Sequence, residues 1–68
     1  MHEFYVIIET DEDGMLVGEV PQLLACYSQG RTVDELLQNI REVIALCLEE
    51  MDEFDPLPEF VGIQKVVV

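Results

Sequence analysis

Apolar and polar positions change period along this 68-residue chain, and each change marks an element. Residues 3–10 read Glu-Phe-Tyr-Val-Ile-Ile-Glu-Thr, a β-branched and aromatic run that predicts a first strand. Asp11, Glu12, Asp13 and Gly14 follow as an acidic turn, in which glycine supplies a positive φ and the aspartates can bond nearby amides. Residues 15–20 return as the second strand of a hairpin, and Pro21 stops it because proline has no N–H to offer a ladder. Residues 22–25 read as a connection, and residues 26–28 as a short third strand closed by Gly30. The period then lengthens to that of a helix. Val33, Leu36, Leu37, Ile40, Val43, Ile44, Cys47, Leu48 and Met51 recur at three- and four-residue intervals, with acids and amides on the opposite side. Thr32 and Glu35 form a Thr-x-x-Glu capping box directly before this run. Pro56 and Pro58 make residues 52–59 a loop, and residues 60–68 close the chain as a predicted last strand ending Val-Val-Val.

The order β-β-β-α-β predicts a single α+β domain over residues 1–68, with two layers: one mostly antiparallel sheet and one long helix on one face. A helical crossover lets the last strand run parallel to the first. Alternation puts Phe4, Val6 and Ile8 on one side of the first strand and Tyr5 and Ile7 on the other; the last strand is apolar on both sides too. One helix covers one face. The uncovered face or its edge therefore calls for a partner, and a homodimer or higher homo-oligomer is expected.

Charge narrows the function. Fifteen acids stand against three bases, a net −12 on 7.8 kDa. Binding to nucleic-acid phosphates releases counterions through Lys and Arg, so direct nucleic-acid binding is not expected. The same field disfavours an anionic membrane and favours a basic partner. There is no basic, apolar leader and no long apolar stretch, so a cytoplasmic location is expected. Cys26 and Cys47 form no C-x-x-C pair and read as ordinary thiols in a reducing compartment.

Candidate chemistry is sparse. Glu9 to Gly14 approaches the spacing of a calcium loop, but its twelfth position is Val20, where a bidentate glutamate is required, and its flanks are strands. His2, the single histidine, lies at a chain end. Ser28 and Thr10 have no base placed beside them, and Cys47 sits on the apolar helix stripe. No catalytic, metal or cofactor site emerges, and no enzymatic activity is expected.

Taken together, several residues resemble a known pattern. These are the acidic turn from Glu9 to Gly14, Val20-Pro21, Leu23-x-x-Cys26, Ser28-Gln29-Gly30-x-Thr32, and the helix start Val33-Asp34-Glu35. The chain resembles the HicB antitoxin family, also described as having a partially degraded RNase H fold. Gly30-x-Thr32-x-x-Glu35 is the most specific part. The chain departs from the family at Gln22, where aspartate is usual, at Leu24-Ala25, where Pro-Gly is usual, and at Leu36, where alanine is common. Many members continue into a ribbon-helix-helix or helix-turn-helix module that binds operator DNA; none is expected here.

The resemblance implies an antitoxin that binds a HicA-type toxin, a small basic ribonuclease that cleaves mRNA. Candidate contacts are the turn residues Asp11, Glu12 and Asp13 and the loop residues Gln22, Leu23, Leu24 and Ala25. The alternatives are a solitary homo-oligomer with a regulatory or structural role, and a vestigial nuclease using Glu9 and the turn acids with a divalent metal.

Overall fold

The computed structural model describes residues 3–51 and 56–68. Three strands, β1 (Ile7–Thr10), β2 (Leu16–Glu19) and β3 (Tyr27–Gly30), precede one helix, α1 (Val33–Glu50). Both strand pairs are antiparallel and the sheet order is β1-β2-β3. The expected α+β architecture of a hairpin, a third strand and one long helix is present.

The register explains why β1 is shorter than its β-prone sequence. Ile7 lies opposite Glu19, so one step further Val6 would meet Val20. The Val20 N–H faces the β3 side, where it donates to the Cys26 carbonyl at 2.9 Å, and the next residue to face β1, Pro21, has no N–H. The ladder on that side ends there. Residues 3–6 stay outside it, although Phe4 and Val6 still pack against the core.

The helix begins where its capping box predicts. The Thr32 hydroxyl accepts the Glu35 N–H at 3.1 Å, and Asp34 and Glu35 place negative charge on the first turn, where the helix dipole favours it. The start lies tight against the sheet. A Cβ on Gly30 would come within 2.5 Å of the Leu36 nitrogen, so only glycine lets the first turn pass over β3. The Asn39 amide donates to the Gln29 carbonyl at 2.9 Å and ties the second turn to the same strand. Leu36 and Ile40 are fully buried beneath the helix: Ile40 joins Val20 and Cys26 in the core, and Leu36 lies over Gly18. The helix packs on β3 and β2.

The predicted last strand is corrected. Residues 60–68 join no ladder. The chain returns past the sheet through a bond from Gln22 Nε2 to the Pro58 carbonyl, at 3.3 Å, and a stack of Phe60 on Tyr5, with ring centroids 4.5 Å apart. From Val61 onward it is exposed. Apolar alternation supplies the propensity for a strand, but a strand forms only with a neighbour to bond to. Of the predicted 52–59 loop, residues 52–55 lie outside the described residues, as does His2; residues 56–59 are irregular.

Candidate functional site

The sheet carries one acidic turn and one apolar loop, at opposite ends of β2. The turn is built by Asp11. Its Oδ1 accepts the N–H groups of Asp13 and Met15, both at 2.9 Å, and its carbonyl accepts the Gly14 N–H at 3.1 Å. Gly14 takes a φ of 81°, which an L side chain would resist. Asp11 is thus engaged in holding the turn, and Glu12 and Asp13 project from it exposed. The calcium-loop reading thereby has its third-position ligand, Asp11, engaged in the turn itself. Arg31, at the end of β3, borders the shallow hollow beside Asp13 and Gly14; its position followed from the β2–β3 register and not from any local motif.

At the other end, the loop after Pro21 folds inward and outward at adjacent residues. Leu23 is 7% exposed and joins Val20, Cys26 and Ile40 in the core, whereas Leu24 is 95% exposed. The Leu23 N–H bonds the Val20 carbonyl at 3.2 Å, which draws the loop tight. Ala25 completes the reversal with a φ of 55°. The Oε1 of Gln22 is buried with no donor to it among the described residues, while its Nε2 reaches Pro58. Leu23 and Leu24 line a cleft of about 310 Å³ together with Met51, Pro56, Leu57 and Pro58. Sequence patterning assigned these last residues to the helix end and a loop; only the fold brings them against residues 22–24.

The seven candidate contacts therefore do not form one cluster. Asp11, Glu12 and Asp13 gather at one end, Gln22, Leu23, Leu24 and Ala25 at the other, separated by the length of β2. Within the second group Leu23 is a core residue and Leu24 presents the surface.

Below this loop lie the two thiols, both free. Burial first, and then a thiol hydrogen bond and charge interaction with Cys47, push the Cys26 thiol up to about 11. Such a thiol stays protonated near neutrality and is a poor nucleophile. Glu9 and Thr10 are exposed on β1, and Ser28 is half-buried on β3. Among the described residues, no three His, Cys, Asp or Glu side chains gather as a metal site would require. Among the described residues, no helix is long and apolar enough to cross a membrane.

A model of the HicB_like antitoxin of bacterial toxin-antitoxin systems matches residues 4–67. The chain belongs to this family. Its relatives include the UPF0150 protein ssr1258 of Synechocystis sp., 73% identical over 97% of this chain and 94% of that protein. A UPF0150 protein of Archaeoglobus fulgidus is 41% identical over the same shares, and one of Thermotoga maritima is 36% identical over 96% and 88%. No solved structure gave a significant match.

Membership in the HicB-like family gives the motif a physical reading. Gly30 permits the helix to pass, and the Thr32 hydroxyl caps it by accepting the Glu35 N–H, so Gly30-x-Thr32-x-x-Glu35 is a device for docking α1 on β3. Ala25 stands where the pattern has glycine, and its positive φ shows why glycine suits that position.

Proposed function

We propose that this chain is the antitoxin of a toxin–antitoxin pair, binding and neutralising a small basic HicA-type mRNA-cleaving toxin without chemistry of its own. The family match over residues 4–67 carries this reading. The charge agrees with it. A toxin that holds RNA must present a positive surface, and a partner of net −12 is steered onto that surface while repelling the RNA it displaces. Two surfaces suit the task. Glu12 and Asp13, held out by the Asp11 turn, offer carboxylates to basic side chains. Leu24, displayed between Gln22 and Ala25 by the anchoring of Leu23, offers an apolar contact beside the cleft.

The test is an RNA-cleavage assay with a small basic protein encoded beside this one, if the genome holds such a neighbour; a genome without one would favour the solitary homo-oligomer. The antitoxin reading expects a stable complex and loss of cleavage at equimolar antitoxin. Replacing Glu12 and Asp13 by Lys should slow association and flatten its salt dependence, and Leu24→Asp should speed dissociation. Full cleavage in the presence of excess antitoxin would favour the solitary homo-oligomer. Metal-dependent cleavage by this chain alone, abolished by Glu9→Gln, would overturn the non-catalytic reading.

A further inference from the structure

The residues that fail to form the last strand retain every property of one. Residues 60–68 read Phe-Val-Gly-Ile-Gln-Lys-Val-Val-Val, with no acid among them; all fifteen acids of the chain precede Phe60. Val61 is 94% exposed and Val67 85%. The sheet has a place for such a segment. β1 is an edge strand, with β2 on one side and no strand on the other among the described residues. Just ahead of that strand, between residues 4–6 and the helix, lies a groove of about 450 Å³ lined by Phe4, Val6, Leu37, Ile40, Ile44 and Leu48, with Arg41 as its one charged residue. A strand added beside β1 and continued past residues 4–6 would lie against it.

The single chain is also too open. Its accessible surface is 5940 Å², whereas a compact chain of 7.8 kDa exposes roughly 4,400 Å². Its radius of gyration is 13.2 Å against about 11 Å for a compact domain of 68 residues. The excess surface exceeds the roughly 800 Å² that each partner buries in a stable complex.

We propose that two copies of this chain exchange residues 60–68, each segment adding a strand to the outer edge of β1 of the other copy and covering the groove beneath its helix. Phe60 is already stacked on Tyr5, just ahead of β1, so the exchanged segment leaves from the edge it is to meet in the partner. Eight residues beyond it reach about 26 Å when extended, enough to cross a two-fold axis lying along that edge. Charge selects the occupant. Lys65 is the one charged side chain of the segment, and the remainder of the chain holds fifteen acids against two arginines. The net field of a second copy attracts this cation and that of a basic toxin repels it, with Arg41 at the groove leaving Lys65 to face the solvent side. Backbone pairing gives the affinity, and the alternating side chains fill the groove on one face and flank Tyr5 and Ile7 on the other. Exchange also removes an exposed apolar edge that would otherwise invite disordered association.

This inference does not depend on the toxin, and its test uses the chain alone. Sedimentation at micromolar concentration should give twice the 7.8 kDa mass. Ile63→Asp with Val66→Asp should halve that mass and leave the helical circular dichroism unchanged, because both residues are exposed in the single chain. In a mixture of labelled and unlabelled chains, isotope-filtered NOEs should connect one alternating set of methyls, Ile63 with Val67 or Val66 with Val68, to Ile44 and Leu48 of the other copy. A mass of one chain, a double mass that survives the Asp variant, or contacts confined within one chain would each overturn the exchange. Protection of residues 60–68 only when the toxin is added would overturn it too, while leaving the antitoxin reading in place.

Discussion

The two ends of β2 solve the problem of reversing the chain in opposite ways. At the hairpin end every demand is met locally: Asp11 bonds two amides, Gly14 takes the positive φ, and the tip is polar and wet. At the other end the reversal leans on the rest of the molecule. Leu23 is driven into the core, Ala25 bears a left-handed φ without being glycine, Gln22 buries an oxygen, and Leu24 is left in solvent. A turn that satisfies itself contributes charge and little else. A loop that borrows its stability from the core can hold an exposed apolar side chain in a fixed place, as a recognition surface requires.

The comparison can be broken most forcibly at Leu23. Leu23→Ala should cost about 2–5 kcal/mol by opening a cavity among Val20, Cys26 and Ile40, whereas Leu24→Ala should leave stability within about 0.5 kcal/mol. Urea unfolding of the pair measures both. The next effect is on pH. An unfolded Cys26 thiol loses its proton near 9.0 and the folded one near 11. Stability should be complete below pH 9 and decline as pH rises through about 11, with a slope approaching about 1.4 kcal/mol per pH unit between the two values. Cys26→Ala should abolish that slope in denaturant titrations run across this range. Ala25→Gly sharpens the contrast by relieving the loop, and should stabilise the fold by about 1 kcal/mol, read as a raised Tm. The smallest effect belongs to the self-sufficient turn. Asp11→Ala removes two exposed hydrogen bonds and should cost about 0.5–1 kcal/mol without altering the amide spectrum beyond residues 9–16.

Much of this was legible locally. The capping box at Thr32, the helix stripe, the acidic turn and the three antiparallel strands follow from residues within a few positions of one another. The candidate contacts were legible only in part. Gly14 after three acids and Pro21 after the second strand marked them as loops, but nothing near Leu23 and Leu24 in the chain tells which of two adjacent leucines turns inward. That choice follows from the Val20–Cys26 closure and from the helix that arrives above it.

By itself the sequence determined the elements, the sign of the charge and, through Gly30, Thr32 and Glu35, the manner in which the helix meets the sheet, because each depends on short-range periodicity, capping and steric room. Tertiary structure alone decided where β1 stops, that Leu24 is displayed while Leu23 is buried, and that residues 60–68 carry a strand's composition without a strand's bonds. Those outcomes turn on which backbone groups find partners across the chain, and a ladder is a property of two segments, written in neither one alone.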